Sequence, residues 1–430
     1  MIGRVSVPDK RLRRWQAAIF VSTWAAYAGF YLTRRNYAVA QPAILREFGW
    51  TETDVGVVIT LYLTAYAIGQ FVHGWLGDRF GPRRMLAFGF GATILLSVGL
   101  GFQGSVLGFG LLYGLNGFAQ SAGWPNVTKA MTMWFPAANR GRVMGIWGTN
   151  YSFGDAFATA LAAWMLGTWG WRSVFWGPAI AGLGVAVLVV LILRDRPEDV
   201  GLPPVQVSEP VAESEPLLES LKPLLDTRVL RLGAAYFCLK FVRYTFVFWI
   251  GLYLVGQLEF TDEQAGYLQV PFPLAGLLGS VAAGFASDLL FDARRAPVAV
   301  IMLILLGGAL GLLLALPTDL STEPILFGLG LRTLAFGGTL ALCGFMLYGP
   351  DMLVSGTAAM DFGSTKAASR VAGFVNGVGS IGAALSGVVI GVVSGHGWTA
   401  VFALLVVLVL ACTVVTATLW NARDESAVEA

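Results

Sequence analysis

Along this chain the apolar residues neither alternate nor recur every third or fourth position. They run on for about 20 residues at a time, broken by short stretches rich in Arg, Asp, Gly and Pro. A helix rising 1.5 Å per residue needs roughly 20 residues to cross about 30 Å of hydrocarbon. Twelve such runs are read, at 16-36, 54-77, 84-103, 106-130, 141-166, 172-194, 229-255, 264-287, 297-316, 324-350, 366-393 and 398-420. Only helices and closed barrels satisfy the backbone in lipid, and barrel strands would alternate. The pattern therefore predicts an all-α membrane protein with twelve transmembrane helices.

Composition strengthens this picture. The 430 residues are 56% hydrophobic and 13% charged, where a soluble domain is about a quarter charged. The 54 glycines fall mostly inside the runs, as close helix packing in lipid favours. Cys238, Cys343 and Cys412 also lie inside runs, at no metal or disulfide spacing, and read as packing residues. His73 and His396 are too far apart for a local metal motif, so no metal or other cofactor is expected. No nucleophile–base pair or phosphate loop marks an enzyme. The first run is too long for a signal-peptide core and no small-residue cleavage site follows it, so no cleavable leader is expected.

A net charge of +2 is too small to suggest a nucleic-acid partner. The basic residues instead collect in "KRLRR", "DRFGPRR", "NRGR" and "DARR", whereas "EFTDEQ" and "TDLSTE" are acidic or nearly free of positive charge. By the positive-inside rule both termini are expected in the cytoplasm, with the chain in the inner (plasma) membrane.

The chain repeats itself. "GWLGDRFGPRR" (from Gly74) has a worn counterpart in "GFASDLLFDARR" (from Gly284), with Asp78 and Asp288 aligned. "RVMG" at Arg142 and "RVAG" at Arg370 each precede a glycine twelve residues on, Gly154 and Gly382. "GWRSVF" (from Gly170) and "GWTAVF" (from Gly397) then keep the same register. The expected organisation is an N-terminal six-helix bundle over 1-195, a polar linker over 196-228, and a C-terminal six-helix bundle over 229-430.

Two six-helix halves of one orientation, with a G-x-L-x-D-R-x-G-x-R-R loop after the second helix, resemble the major facilitator superfamily. In that architecture substrate sits near mid-membrane between halves that rock around it. Asp78 can cap or pair at a helix end while Arg79, Arg83 and Arg84 meet lipid headgroups and neighbouring helix C-termini; a purely topogenic role for the arginines fits equally.

Candidate chemistry begins with "YLTRRNYAVA". Arg34 lies in the first span, and 209 residues later Arg243 stands in the seventh, so each half offers one arginine. A buried arginine costs on the order of 2.5 to 3.5 kcal/mol and asks for an anion. No acidic residue is seen in the first or seventh span to supply it. Tyr27, Tyr31 and Arg34 share a helical face, as do Lys240 and Arg243. Guanidinium forks and a lysine suit a tetrahedral oxyanion. Arg35 points about 100° away from Arg34 on a continuous helix and is read as meeting loop or headgroups.

"YLTRRNYAVAQPAI", "GFAQSAGWPNVTKAMTMWFP", "FVRYTFVFW" and "GFMLYGPDML" look like the organophosphate:phosphate antiporter family. The resemblance implies exchange of a phosphorylated metabolite for inorganic phosphate by rocker-switch alternating access. It places the clamp arginines on Arg34 and Arg243 and the first-span tyrosines on Tyr27 and Tyr31. This chain has Gln70 where glycerol-phosphate members carry a lysine, Tyr151 where they carry a histidine, and Lys240 where they carry a tyrosine; the phosphate clamp survives these departures. Asn150, Tyr151 and Asp155 offer further hydrogen-bonding groups, with Asp155 open between substrate hydroxyls, Lys240 and a merely structural charge. Trp124 is open between packing and lining the site, and Tyr348, before a Gly-Pro break, between a gate and a kink. Lys129 is expected to pair with a carboxylate or snorkel. Asp361, Lys366 and Arg370 are a candidate salt-bridge cluster. A monomer in the bilayer is expected. The alternatives are a proton-coupled carboxylate symporter, against which Arg243 argues, and a sugar-phosphate sensor with the same clamp.

Overall fold

The computed structural model describes residues 10–136, 143–205, 222–292, 294–326, 328–357 and 365–420. The expected Arg142 and Asp361 lie outside them, as do the side chains of Lys366 and Arg370. The first half comprises α1 (Lys10–Phe30), α2 (Asn36–Phe48), α3 (Glu52–Phe80), α4 (Pro82–Leu100), α5 (Val106–Gln120), α6 (Gly123–Trp134), α7 (Thr149–Trp169) and α8 (Ser173–Ile192). The second comprises α9 (Thr227–Gly256), α10 (Asp262–Leu268), α11 (Pro271–Leu290), α12 (Arg295–Ala315), α13 (Leu331–Met352), α14 (Thr365–Ser394) and α15 (Trp398–Ala417). These fill twelve transmembrane spans, because the first span is α1 plus α2, the fourth α5 plus α6, and the eighth α10 plus α11.

By length and composition, nine helical segments among the described residues can cross a membrane on their own. The first, fourth and fifth spans fall short, each for a visible reason. The first breaks at a 3-10 turn, Tyr31–Thr33, the fourth at Ser121 and Ala122, and the fifth carries the polar run Thr149 to Asp155. Residues 324–326 and 329–330, expected to begin the tenth span, instead form two short antiparallel strands, β1 (Pro324–Leu326) and β2 (Leu329–Gly330), ahead of α13.

The helix starts follow local chemistry. Thr51 and Asp54 form a reciprocal capping box at α3, Thr261 and Gln264 do so at α10, and Ser105 caps α5. Such caps satisfy amide groups that would otherwise be orphaned at a helix end.

The halves meet at the end remote from the start of α1. There α3 packs on α14, α2 on α9 and α10, and α7 on α10 and α11. The α3 and α14 backbones touch: a Cβ on Gly56 would stand 2.6 Å from the Gly387 carbonyl oxygen. Only glycine permits that approach. Thr60 Oγ1 donates to the Ala384 carbonyl at 3.0 Å, and Arg46 pairs with Asp262. At the other end α1 packs on α6, α7 and α8, all in its own half. Among the described residues the packing between the halves thus gathers at the end remote from the start of α1.

Candidate functional site

The first-span break creates the site. Arg34 and Arg35 both direct their amide N–H to the Tyr31 carbonyl, at 3.0 and 3.1 Å, so the chain tightens before α2 restarts. Carbonyls freed there must find donors, since lipid supplies none. Gln120 Nε2 donates to the Thr33 carbonyl at 3.1 Å and the Tyr113 hydroxyl to the Arg34 carbonyl at 2.9 Å.

Arg34 is half-buried. Its Nε donates to Gln120 Oε1 at 2.9 Å, and the guanidinium lies 4.7 Å and 4.9 Å over the Tyr31 and Tyr66 rings. The same Gln120 oxygen accepts from Tyr62 at 3.1 Å. One Arg34 terminal nitrogen is buried without a hydrogen-bond partner. Among the described residues no carboxylate stands within ion-pairing distance of Arg34 or Lys240.

Arg243, from α9, stacks 4.3 Å over Tyr348 and lies 5.8 Å from the Tyr151 ring. Tyr151 and Tyr348 themselves stack at 6.3 Å across the two halves. Lys240 lies 5.1 Å over Tyr236 and 6.0 Å from Tyr244. Tyr62, beside Arg34, meets Phe248 of α9 at 6.0 Å, and Phe248 meets Tyr244 at 6.2 Å. Aromatic side chains therefore run on from the surroundings of Arg34 in one half to the helix of the other half that carries Lys240 and Arg243.

One expectation, that for Arg35, needs correction, and two other residues gain partners. Arg243 has an anion: its Nη1 is 2.8 Å from Asp351 Oδ2, from α13, a residue the sequence reading did not single out. Arg35 is not a headgroup contact but is buried, 2.6 Å from Asp155 Oδ1. It also donates to Thr159 Oγ1 at 2.9 Å, the Val247 carbonyl at 2.5 Å and Gln269 Oε1 at 3.4 Å. Asp155 is thereby paired with Arg35, and among the described residues it makes no ion pair with Lys240.

Other expected residues fall around this cluster. Tyr27 packs edge-on against Tyr31, with ring centroids 6.1 Å apart, and against Trp124 at 5.5 Å. Trp124 is 43% exposed and also contacts Trp147, so it both packs and presents surface. Asn150 is buried, with Nδ2 donating to the Trp147 carbonyl at 2.5 Å and Oδ1 unpartnered. Residues missed by the sequence reading are Gln120, Tyr62, Tyr66 and Asp351. The readable signal for two of them was an intramembrane carboxylate and a Gln four residues after Asn116.

The loop after α3 is separate from this cluster. Lys129 pairs with Asp78 at 2.6 Å, and Arg295 with the repeat-related Asp288 at 2.5 Å. Arg83 Nε donates to the Val190 carbonyl at 3.1 Å in the last turn of α8, while its amide donates to Asp195 Oδ1 at 2.6 Å. A cation at a helix C-terminus is favourable. Arg79 lies over Phe80, and Arg84 is exposed.

Fold and site together define a class: a polytopic helical membrane protein whose pseudo-repeated halves enclose a cationic, tyrosine-lined site. A family model described as Major Facilitator Superfamily matches residues 23–386. A probable hexose phosphate transport protein of Chlamydia muridarum is 30% identical, over 99% of this chain and 96% of that one. The glucose-6-phosphate exchanger SLC37A2 of Danio rerio is 31% identical, over 93% and 91%. The membrane sensor protein UhpC of Salmonella typhimurium is 31% identical, over 88% and 85%. A solved bacterial homologue of the human lysosomal transporter Spinster, inward-facing and unoccupied, matches with a TM-score of 0.73 over 94% of this chain and 95% of that one. At 15% identity this is a likeness of fold. The chain belongs to the Major Facilitator Superfamily and, within it, to the organophosphate:phosphate antiporter family.

Proposed function

We propose that this protein is a secondary active transporter exchanging an organophosphate for inorganic phosphate by alternating access. The moving parts are the bundles 1–195 and 229–430, joined by the linker 196–228, in a monomer whose termini face the cytoplasm. The observation that carries the reading is the buried, unpartnered Arg34 nitrogen, with Lys240 and Arg243 on the helix of the other half that the neighbouring Tyr62 meets at Phe248. A buried unsatisfied donor costs about 1–3 kcal/mol, so the site is incomplete without an acceptor. A phosphoryl group offers several oxygens at once and can bridge Arg34 and Arg243, with Lys240 adding a third positive charge. Tyr27, Tyr31, Tyr151 and Tyr348 supply hydroxyls and ring faces around it, Trp124 and Asn150 border it, and Asp155 stays with Arg35.

Bridging draws the halves together, and the end where α1 begins closes around the loaded site. Without a dianion the cations repel at low effective dielectric and the empty carrier reorients poorly, which favours exchange over net flux. Sugar phosphates are the candidate organic substrates, by likeness to the hexose-phosphate and glucose-6-phosphate relatives. The test is release of labelled phosphate from proteoliposomes on adding external phosphate esters. Arg34→Lys and Arg243→Lys should each cut exchange roughly tenfold or more, since a point charge cannot replace the fork. Normal exchange in Arg243→Lys refutes the clamp. Proton-driven carboxylate uptake without phosphate exchange would establish a symporter instead, and tight binding without flux a sensor.

A further inference from the structure

Asp351 is an acidic side chain placed where the substrate anion is expected. It follows Gly349 and Pro350 at the end of α13, where the helix passes into a π-helical turn over Leu353–Thr357. Proline removes one backbone hydrogen bond and a π turn loosens the ladder, so this carboxylate rides on backbone that can shift. Its contact with Arg243 is single: Oδ2 meets Nη1 at 2.8 Å, while Oδ1 is buried and has no hydrogen-bond partner. The guanidinium fork is thus half used. Both side chains keep some exposure, 17% for Arg243 and 10% for Asp351.

Among the described residues the charges at this level are Arg34, Lys240 and Arg243 against Asp351, since Arg35 and Asp155 neutralise each other. Three cations and one carboxylate leave two net positive charges, which match a phosphate-monoester dianion. A monodentate carboxylate is the weaker partner for a guanidinium than an oxyanion that takes both arms of the fork.

We propose that Asp351 is the resident counter-anion of the empty site, displaced from Arg243 when the phosphoryl group binds. This rests on the organophosphate reading above and adds a residue that limits affinity from within the protein. The carboxylate occupies Arg243 while the site is empty, swings aside on its Gly-Pro and π-turn backbone as phosphate arrives, and competes with phosphate for the return. Affinity is held down, and release at either face is correspondingly easier.

The experiment is equilibrium binding of labelled inorganic phosphate to the purified full-length protein in nanodiscs, for wild type, Asp351→Asn, Asp351→Ser and Asp351→Glu. Removing a competing charge at contact distance in a partly hydrated site should tighten phosphate binding on the order of tenfold in Asp351→Asn and Asp351→Ser. Asp351→Glu, which keeps the charge, should stay near wild type. Unchanged or weaker binding in the neutral variants overturns the proposal, because a carboxylate that merely positions Arg243 would lower affinity when lost. If neither neutral variant yields monodisperse protein, the carboxylate is a structural member and the proposal also falls. No phosphate binding by wild type would be a different failure, that of the organophosphate reading itself.

Discussion

Arg35 offers the sharpest quantitative handle on how the halves are held. Its partners divide cleanly, with Asp155 and Thr159 in the first half and the Val247 carbonyl and Gln269 in the second. Removing Arg35 alone would leave Asp155 as a buried unpaired charge, costing about 3–5 kcal/mol in any conformation. The double variant Arg35→Gln with Asp155→Asn avoids that cost and leaves neutral groups able to bond each other. It then lacks the bonds to the second half, which exist only while this end is closed. A charge-assisted hydrogen bond contributes about 1.5–3 kcal/mol. The contact to Val247 is short and the one to Gln269, at 3.4 Å, is weak, so the closed state should lose about 2 kcal/mol. That is roughly a thirtyfold shift in the ratio of closed to open at this end. Spin labels at the exposed Phe102 and Gln257, with the native cysteines replaced by serine, would report it as a new longer-distance population in a pulsed dipolar measurement. An unchanged distance distribution would mean that Arg35 does not tether the halves, and the energetic division drawn from these distances would be wrong.

Two other perturbations test the same end. Gly387→Leu should force α3 and α14 apart, since a Cβ there stands 2.8 Å from the Gly56 carbonyl oxygen. Phosphate exchange should fall severely while a cysteine at Thr60 becomes several-fold more reactive to an impermeant maleimide; unchanged labelling would refute the close backbone contact. Glu47 is held below the usual glutamate range by hydrogen bonds from Arg172 and Trp171. A carboxyl with a lowered folded-state pKa contributes stability that is present above its unfolded value of about 4.3 and is lost as pH falls through the folded value. The thermal midpoint of wild type should therefore drop more than that of Glu47→Gln between about pH 6 and about pH 4. Parallel curves would show that this exposed pair contributes nothing.

What the sequence could and could not disclose follows from helix geometry. Arg34 and Arg243 could be picked out as candidates because internal repetition pairs them, and repetition survives any local distortion. Arg35 was not, because the reading gave its side of the first span to loop or headgroups, and the apolar pattern does not say that Asp155 of α7 lies there. Both arginines keep right-handed helical backbone after the turn at Tyr31–Thr33, with Arg35 on Asp155 and Arg34 on Gln120. Asp351 was hidden by a boundary: the tenth apolar run was closed at residue 350, so the carboxylate fell one position outside and escaped the rule that intramembrane acids are functional. The structure extends α13 to Met352 and buries Asp351 against Arg243. The three spans that hold no single helix long and apolar enough to cross a membrane are the first, fourth and fifth, and they supply Arg34, Gln120 and Tyr151 to the candidate site. Polar side chains that make a carrier site dilute the apolar signal of the helices that hold them. A weak run within a strongly apolar chain is therefore the place to look for the ligand.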